Sequence, residues 1–273
     1  MKKYIKNLIS LFGFRIIKIT KRNKYSFYDD INRNLGYEFE KEANLAIELI
    51  RKNSMLPYVN LLTLYEQCRY LENLNLEGDY VECGVWKGGA IGLMALVSLK
   101  FGRGKRKIHL FDSFEGICAP NENMDGEKAI NEIKEFGGKN TYTNGELIPL
   151  IGLYKRYGGE GTLDENINLI EKVIKYPKEL VSYHKGWFQD TIPKETVGIK
   201  KIAILRLDGD WYESVKIPLE HLYFKVTKGG FVIIDDYGKY EGCKKATDEF
   251  LKNNNINVYL HYSSPTCRYF IKP

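Results

Sequence analysis

Acidic side chains follow two apolar stretches of the sequence, each at the point where a predicted β-strand ends. Asp208 and Asp210 come directly after IAILRL, and Asp235 and Asp236 close the stretch GFVIIDD. We expect the two strands to be neighbours in a parallel sheet, so their carboxylates converge in the crevice at its carboxyl edge. Carboxylates gathered in one place repel one another unless a cation lies between them. Because hard oxygen ligands without a nearby histidine or thiolate favour Mg²⁺, the pattern predicts a magnesium site made by Asp208, Asp235 and Asp236.

Some of these acids have a plainer interpretation as helix caps. Asp210 and Glu213 lie next to a predicted helix over residues 213–225, where a carboxylate can accept hydrogen bonds from the first turn. One acid of the Asp235–Asp236 pair has the same alternative. The sequence leaves both interpretations open for these side chains.

A glycine-rich turn, VECGVWKGG, follows the strand predicted at 79–83 and precedes a helix. Gly84 permits a sharp backbone turn, and Gly88 and Gly89 permit close approach of a ligand or of the helix start. A dinucleotide site calls for G-x-G-x-x-G, but Glu82 stands at the first glycine position. An acid there repels pyrophosphate and suits a ligand with cationic groups, such as an amino acid or a sulfonium. The turn therefore disfavours NAD as the cofactor.

Two further motifs have side chains suited to a nucleoside. Asp112, in FDSFEG after the second predicted strand, can accept hydrogen bonds from both ribose hydroxyls, and Phe114 offers an apolar face to a base. Trp187 and Phe188, in GWFQDTIP after the third strand, can close an adenine pocket. A segment of this kind is also compatible with a simple role in the core and at a helix start.

The elements around these motifs alternate between strand and helix. Short runs rich in apolar, β-branched and aromatic residues predict strands at 79–83, 107–111, 180–184, 202–207, 230–235, 256–262 and 267–271. Helical stretches lie between most of them, which predicts an α/β fold with helices on both faces of a mainly parallel sheet. About four residues join the last two strands, too few for a parallel crossover, so this pair must form an antiparallel hairpin.

The motifs, in this order, resemble those of the macrocin-type O-methyltransferase family, metal-dependent enzymes that methylate sugar hydroxyls of antibiotics. The segments that carry the resemblance are VECGVWKGGA, FDSFEG, GWFQDTIP, LRLDGDWYES and GGFVIIDDYGKYEGCKKATDEF. The resemblance implies a class I methyltransferase fold, with a Rossmann-like seven-stranded sheet in the order 3-2-1-4-5-7-6. It also implies S-adenosylmethionine and Mg²⁺ as cofactors, and a homo-oligomer.

The resemblance assigns roles to individual residues as well. Asp208, Asp235 and Asp236 would hold Mg²⁺. With two residues added from the motifs themselves, Gly89 and Phe114, the residues expected to bind S-adenosylmethionine are Glu82, Gly84, Gly88, Gly89, Asp112, Ser113, Phe114, Trp187 and Phe188. We expect Asp208 to be also the catalytic base that receives the proton of the acceptor hydroxyl, with Asp210 and His184 as alternatives. The acceptor is expected to be a sugar, a glycosylated metabolite or a glycan.

One catalytic domain with two additions is the predicted organisation. Residues 61–273 form the methyltransferase domain, residues 1–60 a basic helical arm, and the polar, glycine-rich segment at about 120–165 a lid inserted over the site. Apolar residues recur at near-helical spacing within 1–24, but Arg15 and Lys18 interrupt them, so no membrane span is predicted. This stretch is predicted to pack on the body or on a partner subunit, with peripheral attachment to an anionic membrane as the alternative.

Composition limits the partners and the compartment. The net charge of +6 comes from lysines scattered along the chain, so no nucleic-acid partner is predicted. The five cysteines are odd in number and form no C-x-x-C pair, which indicates neither a disulfide framework nor a zinc site. Reduced cysteines fit a cytoplasmic protein.

Three alternatives to a sugar methyltransferase remain at this point. One is an NAD(P)-dependent oxidoreductase on a Rossmann sheet, which the missing G-x-G-x-x-G disfavours. Another is an O-methyltransferase that acts on a non-sugar diol. The third is a binding module that retains the cofactor without reacting, which the presence of all three metal-site acids disfavours.

Overall fold

A computed structural model of the chain describes residues 40–102, 104–136, 143–150 and 152–273. These residues form one seven-stranded sheet in the order β3-β2-β1-β4-β5-β7-β6, and this confirms the fold and strand order predicted above. The strands are β1 Asp79–Cys83, β2 Ile108–Asp112, β3 Val181–Lys185, β4 Ile202–Leu207, β5 Val226–Ile234, β6 His261–Tyr262 and β7 Arg268–Ile271.

Helices connect the strands and cover both faces of the sheet. In the described ranges they are α1 Glu40–Ile50, α2 Tyr58–Asn73, α3 Gly89–Phe101, α4 Gly126–Phe136, α5 Leu163–Ile167, α6 Phe188–Glu195, α7 Tyr212–Leu222 and α8 Glu241–Asn253. Helix α5 continues as a π-helix over Asn168–Val173. None of the helices within these ranges is both long and apolar enough to span a membrane.

The hairpin of β6 and β7, at one side of the sheet, is antiparallel, as its short loop required. Strand β7 pairs antiparallel with both β5 and β6, whereas β1 to β5 pair in parallel. The predicted strand at 256–262 is wrong over most of its length, because only His261 and Tyr262 pair. Among the described residues β6 is an edge strand, and it pairs only with Tyr269 and Arg268 of the short strand β7.

Two apolar layers hold the helices to the sheet. Helices α1, α2 and α3 pack on one face, and α6, α7 and α8 pack on the other. Successive residues of a strand point to opposite faces. On β4 this puts Ile204 in the α1–α3 layer and Leu205 in the α6–α8 layer. Arg206, two residues after Ile204, is thereby directed to the α1–α3 side and is 2% exposed.

The structure describes only part of the predicted arm and of the predicted lid. Residues 1–39, which include the stretch 1–24, lie outside the described residues, as do 137–142 and 151 within the predicted lid. Helix α1 lies within the predicted arm. Its residues Ala43 and Ile47 are part of the apolar layer between the sheet and α1–α3.

The acid that caps α7 comes from a distant segment. Asp125 is 2% exposed, and its Oδ1 accepts a hydrogen bond from the backbone N–H of Tyr212 at 2.6 Å. Its Oδ2 accepts another from the N–H of Asn121 at 2.6 Å. Neither Asp210 nor Glu213 accepts a capping hydrogen bond from the N–H groups at the start of α7, whose N-cap is Trp211. The plainer helix-cap interpretation of these two acids is therefore wrong.

Replacing Asp125 by alanine is expected to lower the free energy of unfolding by about 2 kcal/mol, because a buried cap is lost and two N–H groups lose their acceptor. Urea denaturation measures this change. The matched control is Glu213→Ala, since Glu213 is exposed and pairs only with Lys216 at 3.5 Å. An equal cost for the two variants would contradict the assignment of the cap to Asp125.

Candidate active site

Three acids meet at the ends of two neighbouring strands. Asp208 follows β4, and Asp235 and Asp236 follow β5. Each offers one carboxylate oxygen, and these three oxygens all lie within 4.8 Å of one another. Asp235 and Asp236 are buried, whereas the side chain of Asp208 is 29% exposed. The structure thus brings together the three residues predicted as metal ligands, and Asp208 is the one that faces the open crevice.

A buried arginine lies beneath this cluster. The guanidinium of Arg206 is 2.5 Å from Glu82 Oε1, 2.8 Å from Asp208 Oδ2 and 2.8 Å from Asp235 Oδ1. It therefore fixes acids from three adjacent strands. Arg206 was not among the site residues predicted from the sequence, although a charged residue inside the apolar strand IAILRL was a signal, since such residues are seldom fully buried without partners.

The cluster carries more negative charge than its neighbours neutralise. Burial raises the pKa of Asp235 to about 6 and that of Asp210 to about 7, and it raises the pKa of Asp236 well above its ordinary range. The nearby cationic side chains are Arg206 and Lys239. Oδ2 of Asp236 is buried and has no hydrogen-bond partner among the described residues. An orphaned carboxylate oxygen within an all-oxygen donor set fits a divalent cation.

Gly84 makes the turn after β1 and touches the metal-site strand. Its φ is +87°, a left-handed conformation that other residues rarely adopt. A Cβ at this position would lie 2.0 Å from the carbonyl oxygen of Asp208. Glycine is therefore required, because the turn runs directly against the backbone of β4 at the residue predicted as base and ligand.

The other two glycines of the turn are packed against the chain itself. Gly88 has a φ of +79°, and a Cβ there would lie 2.4 Å from Oδ1 of Asn166. Gly89 begins α3, and a Cβ there would lie 2.5 Å from the carbonyl oxygen of Asn53. The close approach that the glycines allow is thus to α5 and to the segment before α2.

Asp112 joins the end of β2 to the glycine turn. Its Oδ2 accepts hydrogen bonds from the N–H groups of Val85 at 2.8 Å and Trp86 at 3.2 Å, and its Oδ1 accepts one from Phe114 at 2.7 Å. Asp112 therefore lies at the carboxyl ends of β1 and β2 and holds the turn in shape. Binding of ribose hydroxyls by the same carboxylate stays a prediction.

Three of the residues predicted to contact the cofactor are buried next to the crevice. Glu82 is 1% exposed and pairs with Arg206. Ser113 donates its hydroxyl hydrogen to the carbonyl oxygen of Gly116 at 2.6 Å. Phe114 has a φ of +55°, is 4% exposed and packs in the α1–α3 layer, so its ring lacks the open face expected for a base. Their contacts in this structure stabilise the turns that shape the crevice.

The aromatic pair of the GWFQDTIP motif marks the start of α6. Trp187 is the N-cap residue and is half-buried, and Phe188 is the first helical residue and is 9% exposed. The motif was predicted to bind adenine, with a helix start as the alternative, and most of it forms the eight-residue helix. Pro193 lies inside that helix, and a proline is a signal against continued helix in a sequence.

Part of the predicted lid is latched to the glycine turn. The indole N–H of Trp86 donates to the carbonyl oxygen of Gly159 at 2.9 Å, and Lys87 Nζ donates to that of Gly158 at 2.7 Å. The side-chain amide of Asn166 donates to the carbonyl oxygen of Trp86 at 2.7 Å. Trp86 itself has a φ of +47°, a conformation that needs such support. No sequence motif indicated these contacts, whose partners are more than seventy residues apart.

His184, one alternative for the base, has partners on both ring nitrogens. Its Nε2 is 3.1 Å from Nδ1 of His109, and its Nδ1 is 2.7 Å from Oε2 of Glu195. Its ring also stacks on Phe111 with the ring centroids 3.9 Å apart. These contacts give His184 a structural role between β2, β3 and α6.

The sheet order, the glycine turn after β1 and the acids at the ends of β2, β4 and β5 define a class I methyltransferase. Residues 28–137 and 172–272 match the family described as Macrocin-O-methyltransferase (TylF). Because this match covers most of the chain, the protein belongs to the macrocin O-methyltransferase family and is an S-adenosylmethionine-dependent O-methyltransferase. The alternative of an NAD(P)-dependent oxidoreductase is wrong.

Individual proteins support the same placement. The chain is 35% identical over 228 residues to demethyldecarbamoylnovobiocin O-methyltransferase of Streptomyces niveus, a match that covers 82% of this chain and 74% of the relative. It is 34% identical over 177 residues to a 4'-O-methyltransferase of a rhamnosyl tetracenomycin C from Streptomyces olivaceus, covering 63% of this chain and 58% of that relative. The chain thus spans less than two thirds of the second relative.

A solved structure agrees with the fold. The O-methyltransferase NovP superposes with a TM-score of 0.66 and 26% sequence identity, over 86% of this chain and 99% of that one. The two ranges of the family match leave out residues 138–171, a stretch that includes part of the predicted lid and the latch residues Gly158, Gly159 and Asn166.

Proposed function

We propose that this enzyme transfers the methyl group of S-adenosylmethionine to a sugar hydroxyl of a glycosylated natural product, and that Asp208, Asp235 and Asp236 hold the Mg²⁺ this reaction requires. The observation that carries the proposal is the convergence of three carboxylate oxygens within 4.8 Å at the ends of β4 and β5. The names of two relatives, which describe methylation of a novobiocin precursor and of a rhamnosyl tetracenomycin, support a sugar-bearing acceptor.

The cofactor is proposed to lie across the carboxyl ends of β1, β2 and β4. Gly84 brings the turn against Asp208, and Asp112 fixes the turn through the N–H groups of Val85 and Trp86, so the crevice is shaped before any ligand enters. We assign cofactor binding to this crevice and to the residues Glu82, Gly84, Gly88, Gly89, Asp112, Ser113, Phe114, Trp187 and Phe188. For the buried members, Glu82, Ser113 and Phe114, the contribution proposed is to hold the turns in place.

Asp208 is proposed as the general base. Its Oδ2 is held by Arg206 at 2.8 Å, and its side chain is 29% exposed, compared with 11% for Asp235. An acceptor hydroxyl in the crevice can therefore give its proton to Asp208, whereas the occupied ring nitrogens of His184 disfavour that residue. A bound Mg²⁺ would supply positive charge that lowers the pKa of a coordinated hydroxyl. The protein must also position the two substrates. The acceptor oxygen has to lie about 3 Å from the methyl carbon, in line with the bond from that carbon to sulfur.

The proposed activity is tested with methyl-labelled S-adenosylmethionine, Mg²⁺ and a panel of acceptors. The panel contains glycosylated antibiotics, nucleotide sugars, a lipid-linked glycan and a catechol. We expect label on a sugar oxygen and one equivalent of S-adenosylhomocysteine per methyl transferred. Label on the catechol alone would support the non-sugar diol instead, and cofactor binding without label on any member would contradict the proposal.

Three expectations about the whole protein remain proposals. They are a cytoplasmic location, a homo-oligomeric state and peripheral membrane contact through residues 1–24. Light scattering of the full chain measures its oligomeric state. Co-sedimentation with acidic vesicles, compared between the full chain and a chain that lacks residues 1–24, separates membrane contact from packing of the arm on protein.

A further inference from the structure

A small cavity lies behind the carboxylate cluster, on the α1–α3 side of the sheet. Its volume is about 10 Å³. Helix α2 forms one wall with Asn60 and Gln67, and the strand ends form the opposite wall with Arg206 and Asp235. Ser263, in the loop between β6 and β7, lies beside Asn60, whose Oδ1 accepts its hydroxyl hydrogen at 3.4 Å.

Unpaired polar atoms are concentrated around this cavity. Asn60 Nδ2, Gln67 Nε2, Gln67 Oε1, Arg206 Nη2 and Asp235 Oδ1 are all buried and lack a hydrogen-bond partner in the described parts of the chain. The four residues are only 5%, 6%, 2% and 8% exposed as a whole, in the order Asn60, Gln67, Arg206 and Asp235. Arg206 Nη2 and Asp235 Oδ1 are 2.8 Å apart as an ion pair, but they are not aligned as a hydrogen bond. Buried polar groups in proteins are rarely left unpaired, so a partner is missing for the Asn60 and Gln67 atoms, and Arg206 Nη2 and Asp235 Oδ1 have no polar contact beyond their ion pair.

The chemistry of the lining identifies that partner. The volume is about what one water molecule needs. Whichever way its carboxamide is turned, Gln67 offers one donor and one acceptor, and the other atoms offer both kinds. A water molecule needs two to four polar partners in such a site. Here it can donate to Asp235 Oδ1 and Gln67 Oε1 and accept from Asn60 Nδ2.

We propose that this cavity holds one ordered water molecule, and that Gln67 and Asn60 are positioning residues that act through it on Arg206 and Asp235. Helix α2 thereby holds Oδ1 of Asp235 through the water, which fixes the orientation of a carboxylate that lies in the cluster with Asp208 and Asp236. The consequence for metal affinity rests on the proposed function, because it requires that these three acids bind Mg²⁺. Loss of a residue that orients a metal-binding carboxylate in this way typically lowers metal affinity by about 10- to 100-fold.

A high-resolution crystal structure of the complex with S-adenosylhomocysteine tests the water site directly. We expect one ordered water in contact with Gln67 and Asp235 in the wild type. An empty cavity, or a rearrangement in which Gln67 bonds directly to Asp235 or Arg206, would overturn the inference. This result does not depend on whether Mg²⁺ is bound.

Calorimetric titration of Mg²⁺ into the S-adenosylhomocysteine complex tests the positioning role. The Gln67→Leu variant, which keeps the size of the side chain but removes its polar atoms, is expected to bind Mg²⁺ about 10-fold more weakly, with unchanged affinity for S-adenosylhomocysteine. Gln67→His, which can still bond to water, should recover part of the loss. The control is Thr63→Val in the same wall, because the Thr63 hydroxyl donates to the carbonyl oxygen of Val59 at 2.8 Å.

The outcomes separate this inference from the proposed function. Equal Mg²⁺ affinity in Gln67→Leu and the wild type would overturn the positioning role, and so would an equal loss in Thr63→Val. If the wild type itself binds no Mg²⁺, the proposed metal dependence fails, and the water site is judged from the crystal structure alone.

Discussion

Replacing Asp236 by alanine is expected to lower kcat by at least about 100-fold while the affinity for S-adenosylhomocysteine stays within about twofold of the wild type. The physical reason is that Asp236 supplies a buried oxygen without any other partner in the described structure, next to Asp208 and Asp235. Loss of this ligand removes the cation that stabilises the developing charge, a contribution of several kcal/mol, and each 1.4 kcal/mol is worth about tenfold in rate. Steady-state kinetics and calorimetry measure the two quantities.

The matched control for this variant is Asp248→Ala. Asp248 is also an aspartate with a hydrogen-bonded carboxylate, but it lies on α8, outside the three-acid cluster. It accepts its hydrogen bond from the Tyr237 hydroxyl at 2.7 Å. The activity of the Asp248→Ala enzyme should remain close to that of the wild type. Wild-type activity should disappear in EDTA and return with Mg²⁺. Full activity of Asp236→Ala, or of the wild type in EDTA, is incompatible with a metal-dependent reaction at this cluster.

Arg206→Leu is expected to lower the free energy of unfolding by about 3 to 5 kcal/mol, because Glu82 and Asp235 would be left buried without their cationic partner. For a chain of this size the loss corresponds to a decrease in Tm of about 10 °C. The double variant Glu82→Gln, Arg206→Leu should recover part of this stability, since one of the unpaired charges is removed. Thermal unfolding of both variants and of Glu82→Gln alone completes the double-mutant cycle.

The instability of Arg206→Leu should depend on pH with a defined sign. Burial raises the pKa of Glu82 from 4.5 to about 7 in the folded protein, and loss of the opposite charge of Arg206 raises it further. Above about pH 4.5 the folded state then binds a proton that the unfolded chain has released, so stability falls as the pH rises. The stability deficit relative to the wild type should be smaller at about pH 5.5 than at about pH 8. A deficit independent of pH would mean that Glu82 is not the unpaired charge.

The fold was readable from the sequence where local chemistry determines it. The predicted bounds of β1 and β4 coincide with the observed ones, because glycines lie at both ends of β1 and charged residues at both ends of the apolar run of β4. The hairpin of β6 and β7 followed from chain length alone, since the residues between them cannot form a crossover. The extent of β6 was not readable, because it depends on how much of β7 lies opposite.

The sequence predicted where the acidic residues of the site lie along the chain, but not which side chains they contact. The sequence indicated that Asp208, Asp235 and Asp236 follow neighbouring strands. Because these strands are parallel, their carboxyl ends meet at the same edge of the sheet and the three acids come together. The sequence did not indicate that Arg206 joins these acids to Glu82, a residue 124 positions away in the chain. The same limit explains Asp125, which caps α7 from 87 positions away. Such contacts depend on tertiary packing and leave no periodic signal in one sequence.

The metal site is tested most directly by anomalous diffraction from Mn²⁺ in crystals of the S-adenosylhomocysteine complex, since Mn²⁺ accepts the same oxygen ligands as Mg²⁺. We predict one strong anomalous peak in contact with the carboxylates of Asp208, Asp235 and Asp236, and its loss in crystals of Asp236→Ala. A peak bound elsewhere, or no peak at a Mn²⁺ concentration that supports methyl transfer, would contradict the assignment of these three acids.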